Sequence, residues 1–388
     1  MTEIFEKPSQ TEAPGSTARC RSPSRASLNL SFPCLQNGQS SAMKLGDCKI
    51  HEARKWFVLV MLSVGRFAGA AESVSFNHGP VLTVIEENDL VVDTDRHYTQ
   101  GIKLTYLSGE QPASGCLSNF SRAIPALGFT VEATRIGTQI GQSIFTPADL
   151  QATSVVTNDR PYAGWLYTGI ILQRRGWTAG HHLVLENFQL DIGVIGPDSL
   201  ADKAQTWVHE IRGFDLPQGW ANQLRNEPGL ALKYQRAVSL TAGTPAGRWV
   251  EIMPHGGFSL GNVETSVRLG SSARIGLNLP DDFGPQTANA LASPDGGRAG
   301  AQTHERWSAY AFFSAEGSAI GFTEFLDGNL WHDSHHVSHE IFVGEFRFGG
   351  VISAPCFETG FALVHRSRDF HGQDTYNRSG SIYFKYRF

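Results

Sequence analysis

The fold is decided by the end of the chain, Ser381-Ile382-Tyr383-Phe384-Lys385-Tyr386-Arg387-Phe388. Every second side chain is apolar, and the side chains between them include two cations and a hydroxyl. A period of two residues predicts a β-strand with one apolar face. A last strand that ends on an aromatic residue is typical of an outer-membrane β-barrel, whose apolar face meets lipid.

The same alternation recurs upstream, as in Ile102, Leu104 and Tyr106. We therefore predict an all-β fold, a transmembrane antiparallel β-barrel of about 12 strands with a short helix in an outer loop. The alternative is a soluble β-sandwich with one wet face, which has the same period. The predicted strands are 81–89, 98–107, 133–142, 161–174, 182–194, 229–241, 247–259, 265–279, 305–317, 337–349, 351–365 and 379–388. A long loop is expected over 281–303.

Three segments are expected along the chain. Residues 43–71 have the form of a secretory signal peptide, with Arg54-Lys55 before a short apolar run and small residues 68–71 after it. Residues 1–42 are rich in Ser, Pro and Arg, and we interpret them as a disordered extension before the true start at Met43. Residues 72–388 then form the barrel domain.

Composition restricts the function. A net charge of −5 over 388 residues argues against a nucleic-acid-binding protein. No apolar run after residue 71 approaches the roughly 20 residues that a transmembrane helix needs. Only Cys116 and Cys356 follow the predicted signal peptide, so one disulfide can form there.

Oxygen-bearing side chains gather where the first predicted strand ends and the second begins. Carboxylate, amide and hydroxyl oxygens are the ligands that Ca²⁺ prefers. The spacing is not that of an EF-hand, because the glycine and the closing glutamate are missing. Solvation of a strand end is the alternative explanation. The residues are Asn88, Asp89, Asp93, Asp95 and Thr99.

One segment interrupts the β pattern. Ser199-Leu200-Ala201-Asp202 resembles a capping box, Ala201–Arg212 is compatible with a helix, and Gly213 is a stop signal. Gln205, His209 and Arg212 would share one face of this helix. Imidazole titrates near neutral pH, so His209 is the candidate general base, against the alternative of a surface histidine.

Other signals carry less weight. The histidines at 332, 335, 336 and 339 follow a turn-like segment, and we interpret them as part of a solvated loop. The Gly-x-Ser-x-Gly match at 257–261 lies between two predicted strands and not at the strand-to-helix turn that a nucleophile elbow needs, so we do not expect a serine nucleophile.

Several segments together resemble the lipid A deacylase family of Gram-negative outer membranes, the lipid A 3'-O-deacylases. They occur in family order over most of 80–388, and the ordered set is more specific than any one of them. The segments are Asn88-Asp89, 94–101, 141–147, 159–165, 191–197, Gln205 with His209, and 217–224.

The resemblance implies a twelve-stranded barrel whose active site lies between the barrel wall and a helix of an outer loop. It also implies Ca²⁺-dependent hydrolysis of the 3'-O-linked acyl or acyloxyacyl chain of lipid A, with the site towards the outer leaflet. The expected catalytic residues are His209, Gln205 and Thr99. The expected Ca²⁺ ligands are Asn88, Asp89 and Asp215. The expected partners are lipopolysaccharide and outer-membrane lipids, with no nucleic acid, and we expect a monomer.

The chain departs from the family pattern in two places. Asp215 matches the family's acidic position only after a shift of one residue. No Lys or Arg lies between Phe145 and Asp159 to contact a lipid A phosphate, so Arg96, Arg160, Arg212 or Arg225 is expected to replace it. Two other functions remain open: an outer-membrane phospholipase, and a non-catalytic structural or pore-forming barrel.

Overall fold

A computed structural model describes seven ranges of the chain: 79–89, 97–112, 120–121, 123–241, 249–280, 282–285 and 307–388. The predicted extension, the predicted signal peptide, Asp93, Asp95, Cys116 and most of the predicted loop 281–303 lie outside these ranges. Cys356 is disulfide-bonded.

Twelve long strands and one two-residue strand form the described part of the sheet, and all their pairings are antiparallel. Each of the twelve predicted strands overlaps one long strand. The bounds are β1 Val81–Asn88, β2 His97–Leu107, β3 Gln111–Pro112, β4 Thr130–Thr146, β5 Ala163–Trp177, β6 Leu183–Ile195, β7 Glu227–Ser239, β8 Val250–Gly261, β9 Glu264–Leu277, β10 Ser308–Thr323, β11 Phe342–Ser353, β12 Phe357–Arg366 and β13 Asn377–Arg387.

The sheet closes on itself. β1 pairs with β13, β2 pairs with β1, and β2 also pairs with β4, so the order runs round without a free edge. The short β3 continues beyond β2 along the same side of β4. A closed sheet satisfies its backbone hydrogen bonds internally, as the hydrocarbon core of a membrane requires. The fold is therefore the predicted transmembrane barrel and not a sandwich.

The two faces of the barrel wall differ in chemistry. In β13, Tyr383 and Lys385 are buried inside, whereas Ile382 and Phe384 are about half exposed on the outside. Exposed large apolar side chains recur on strands all around the barrel. An apolar band of this kind faces lipid. Its members include Val84, Ile102, Ile136, Ile170, Ile192, Leu230, Leu260, Val267, Ile275, Phe313, Phe346 and Phe361.

Charged side chains fill the interior. Glu358 is fully buried and accepts hydrogen bonds from Lys385 at 2.9 Å, Arg387 at 2.6 Å and the Tyr383 hydroxyl at 2.9 Å. Similar networks join Arg174 to Glu186, and Arg274 to Glu251. Buried charges are tolerated when they are paired and hydrogen-bonded. The interior is thus a polar core.

Two helices lie at the end of the barrel where β1 finishes and β2 begins, which we call the upper end. Helix α1, Ala201–Arg212, has the predicted bounds, and α2 is the short Glu324–Asp327. Gly213 ends α1 in the left-handed conformation, φ 71°, as predicted. The predicted capping box is wrong, because Leu200 is the N-cap and the Ser199 hydroxyl donates to the Gly196 carbonyl.

The helices do not cross the membrane themselves. No helix in the described ranges is both long enough and apolar enough to span a bilayer.

The Glu358 network supports a stability prediction. Glu358→Ala would remove the buried carboxylate that accepts hydrogen bonds from Lys385 and Arg387, so we expect the free energy of unfolding to fall by about 3–5 kcal/mol. Urea unfolding of the refolded barrel, followed by tryptophan fluorescence, measures this. The control is Glu132→Ala, whose side chain is 43% exposed and whose partner Arg175 keeps Glu110. The control should lose about 1 kcal/mol or less. Equal losses would contradict the prediction.

Candidate active site

Helix α1 packs against the outward face of the barrel wall, over the upper ends of β4 and β5. The Gln142 side chain of β4 donates a 2.6 Å hydrogen bond to the Ser199 carbonyl just before the helix. Ala201 joins an apolar cluster with Ile144, Tyr162 and Trp220. Ile144 lies on the same face of β4 as the exposed Ile136, so the cluster is outside the barrel.

Gly164 allows the close approach of the helix. A Cβ atom at this position would lie 2.1 Å from the Ser199 Oγ and 2.3 Å from the Ala201 Cβ. Both distances are far below van der Waals contact, so a side chain here would push the start of α1 away from the wall. Only glycine fits under the helix.

His209 points from α1 towards the wall, and its side chain is buried, with 2% exposed. Its Nδ1 lies 2.7 Å from the backbone carbonyl oxygen of Asp215. A carbonyl oxygen only accepts hydrogen bonds, so in the neutral imidazole Nδ1 carries the proton and Nε2 does not. The fold therefore presents Nε2 as the basic atom.

Gln205 lies one turn earlier on the same buried face, as predicted. The Trp220 indole N–H donates a 2.8 Å hydrogen bond to its Oε1. An indole nitrogen can only donate, so it fixes which way the amide points. The Gln205 Nε2 is buried and has no hydrogen-bond partner within the described ranges. This amide N–H is available to a ligand.

The predicted oxygen donors lie at the tips of β1 and β2. Asn88 shares the outward face of β1 with exposed Val84 and Glu86, yet it is only 4% exposed. A register irregularity between Tyr98 and Gln100 places Thr99 at a bulge. Its hydroxyl lies 2.7 Å from that of Thr146 at the end of β4. A bulge of this kind re-aims one side chain of a strand.

The side chains of α1 and the oxygen donors of β1 and β2 lie in one region of the barrel. The C-terminal end of α1 reaches β1, where an Arg212 nitrogen lies 4.0 Å from the Glu86 carboxylate, two residues before Asn88. The helix thus runs from β5 to β1 across the tips of β4 and β2. His209, Gln205, Asn88, Asp89 and Thr99 are all buried at this upper end.

The donor chemistry fits a hard cation. Buried carboxylate, amide and hydroxyl oxygens of Asp89, Asn88 and Thr99 are the set that Ca²⁺ prefers. No group of three or more His, Cys, Asp or Glu side chains that could hold a metal ion occurs in the described part of the chain. A cation here would therefore draw on amide, hydroxyl and main-chain oxygens besides Asp89.

Asp215 lies next to His209, and its role as a Ca²⁺ ligand stays a prediction. Its side chain is exposed, and its main-chain carbonyl is the group that orients His209. Its proposed role as a Ca²⁺ ligand gains no support from this position. Sequence spacing could suggest that Asp215 lies near His209, but not which of its atoms faces the histidine.

The arginines expected to contact a lipid A phosphate differ in where they lie. Arg160 is buried, lies over the Phe145 ring at 4.6 Å and lines an interior cavity of about 140 Å³, so it cannot meet a lipid outside the wall. Burial lowers the pKa of Arg160 to about 10, against the raising effect of Asp369. Arg212 and Arg225 are exposed at the upper end, and Arg96 lies outside the described ranges.

Two aromatic residues of the 159–165 segment are buried. Tyr162 and Trp165 are each 4% exposed, so neither is an interfacial aromatic side chain. Tyr162 packs under α1, and Trp165 stacks on Tyr167 inside the barrel.

Known proteins resemble this chain in both sequence and structure. A family model described as outer membrane protein LpxR matches residues 56–388. The chain belongs to the LpxR family. This agrees with the resemblance seen in the sequence, and the family's description places the protein in the outer membrane. No curated protein sequence matches the chain.

One of the similar solved structures, an LpxR protein, supports the fold. LpxR from Salmonella typhimurium is 18% identical, with a TM-score of 0.62 over 79% of this chain and 100% of that chain. The KdgM porin is 6% identical, with a TM-score of 0.33 over 79% and 99%. The β domain of the Bordetella autotransporter BrkA is 10% identical, with a TM-score of 0.36 over 80% and 99%.

Three residues of this LpxR family site were not singled out from the sequence. Trp220 orients Gln205, Gly164 admits the helix, and Thr146 meets Thr99. All three lie in segments that carried the family resemblance, 217–224, 159–165 and 141–147, and that was the only signal for them.

The close packing of α1 on Gly164 can be tested by mutation. We expect Gly164→Ala to leave the barrel folded but to loosen α1, because the new methyl group would overlap Ser199 and Ala201. Limited proteolysis should then cut residues 201–212 faster, while the heat-dependent shift of the folded barrel on a gel persists. Gly344→Ala is the control, since nothing lies within 4 Å of its added Cβ. Unchanged cleavage of α1 would contradict the close packing.

Proposed function

We propose that this LpxR family protein is an outer-membrane esterase that hydrolyses the 3'-O-linked acyl or acyloxyacyl chain of lipid A. The observation that carries the proposal is His209, buried under α1 on the outward side of the wall, with its Nδ1 held by a carbonyl. A histidine oriented in this way is arranged as a general base on the side where lipids lie.

His209 acts first as a base and then as an acid in the proposed hydrolysis. Nε2 accepts a proton from a water molecule as that water attacks the ester carbonyl carbon. The imidazolium then returns the proton to the sugar oxygen when the carbon–oxygen bond breaks, which releases a fatty acid and a free hydroxyl. The Asp215 carbonyl stabilises the imidazolium through the Nδ1 hydrogen bond.

Two groups are suited to the negative charge that develops on the carbonyl oxygen. The Gln205 amide N–H, fixed by Trp220, can donate a hydrogen bond to it. Asn88, Asp89 and Thr99 would hold Ca²⁺, which when bound supplies a Lewis acid for that oxygen. Thr99 is oriented for this task by the bulge in β2 and by Thr146.

The interior of the barrel argues against the pore alternative. Paired charges such as Glu358 with Lys385 and Arg387 occupy the lumen at fully buried positions. The candidate site is reached from the outer wall instead, which is where a lipid A acyl chain would lie if the upper end faces the outer leaflet.

The role of His209 as the general base can be tested by mutation. We expect His209→Ala to insert normally and to lose about 10²–10⁴-fold in deacylation rate, the usual contribution of a positioned base. Mass spectrometry of lipid A from expressing cells measures the loss of the 3' chain. His371→Ala, which removes an imidazole that is 65% exposed, should keep full activity. Activity retained by His209→Ala would exclude the mechanism.

The proposed dependence on Ca²⁺ can be tested by chelation. A chelator specific for Ca²⁺ should abolish deacylation by the purified protein, and added Ca²⁺ should restore it. Asp89→Asn should raise the Ca²⁺ concentration needed for half-maximal activity, because one charged ligand is lost. Asp374→Asn, at an exposed position, is the control. Deacylation that is indifferent to chelator would remove Ca²⁺ from the proposal.

The same assays separate the alternatives. Fatty acid released from phospholipid with lipid A unchanged, together with labelling by a serine-directed phosphonate, would favour a phospholipase. Unchanged lipids together with ion conductance would favour a pore.

A further inference from the structure

The surface of α1 divides into three sides along its 12 residues. Ala201, Gln205 and His209 face the wall and are buried. At about 100° per residue, Thr206 and Glu210 follow on one side of the helix, Trp207 and Ile211 lie on the next, and Lys203 lies between these two sides, opposite the wall. The wall side carries the candidate site, so the two remaining sides are free to meet the surroundings.

The two outer sides differ sharply in polarity. The Lys203 side chain is 78% exposed and pairs with Asp202 at 2.9 Å, and Glu210 is exposed beside it. On the other side, Trp207 is 63% and Ile211 is 65% exposed. Exposed Phe214 and Leu216 continue the apolar character just beyond the helix.

The helix lies crosswise on the wall. It begins against Gly164 of β5 and ends with Arg212 near Glu86 of β1, so it passes over the tips of four neighbouring strands, β5, β4, β2 and β1. Three strand spacings amount to roughly 14 Å. A 12-residue helix is about 18 Å long, which matches this span. A crosswise helix on a membrane barrel lies near the plane of the interface.

The apolar side of α1 continues the lipid-facing band of the wall. Ile102 of β2 and Ile170 of β5, on strands that the helix crosses, are 46% and 60% exposed. An amphipathic helix at a membrane surface buries its apolar side among acyl chains and keeps its charged side at the headgroups. Helix α1 has both an apolar side and a charged side of this kind.

We propose that Trp207 and Ile211, continued by Phe214 and Leu216, insert among the acyl chains of the outer leaflet and anchor α1 in the membrane interface. The helix is then a lid that is itself held by lipid, and its charged side faces the headgroups. This anchoring goes beyond the proposed hydrolysis and does not depend on it.

A fluorescence experiment on the full chain tests the anchor without using activity. Trp207→Cys and Thr206→Cys are labelled separately with an environment-sensitive dye and reconstituted into phosphatidylcholine vesicles. The chain without an added cysteine gives the background, and the heat-dependent gel shift reports folding. Doxyl groups on lipid acyl chains quench from within the membrane, and iodide quenches from water.

We expect the dye at position 207 to be quenched severalfold more by the doxyl lipid than the dye at position 206, and to emit at shorter wavelength. Iodide should give the reverse order. Quenching of position 207 by iodide alone would overturn the proposal. Strong doxyl quenching at both positions would also overturn it, because the charged side would then lie in the hydrocarbon.

Discussion

Closure of the sheet by the pairing of β2 with β4 is the constraint on which the rest of the structure depends. In hydrocarbon no water is available to an unpaired peptide group, so an open edge would cost several kcal/mol per group. Closure also creates an interior where Glu358, Lys385 and Arg387 can be charged and paired. The outward face is then left to apolar side chains that meet lipid.

The same closure determines where chemistry can occur. Paired charges occupy much of the interior, and the candidate site lies outside, in the space between the wall and α1. That space exists because Gly164 brings the helix close, while the bulge at Thr99 redirects a hydroxyl to the outward face. A buried polar site on the lipid side of a wall suits an enzyme whose substrate is itself a lipid.

Much of this arrangement could be predicted from local pattern. All twelve long strands, the bounds of α1 and the burial of His209 and Gln205 on one face follow from periods of 2 and 3.6 residues. The local pattern does not give the contacts between distant segments. Asp215 turns its main-chain carbonyl to His209, and Arg160 points into the barrel. Ser199 looked like a capping residue but donates to Gly196 instead.

The sequence by itself determined the barrel, the helix in its outer loop and the types of residue at the site, because alternation and glycine stops act over neighbouring residues. Only the tertiary structure decided which nitrogen of His209 is basic and which way the Gln205 amide points. Those states depend on Asp215 and Trp220, whose backbone carbonyl and indole N–H are positioned by chain turns that no local period encodes. Hydrogen-bond direction across such turns is a property of the folded chain.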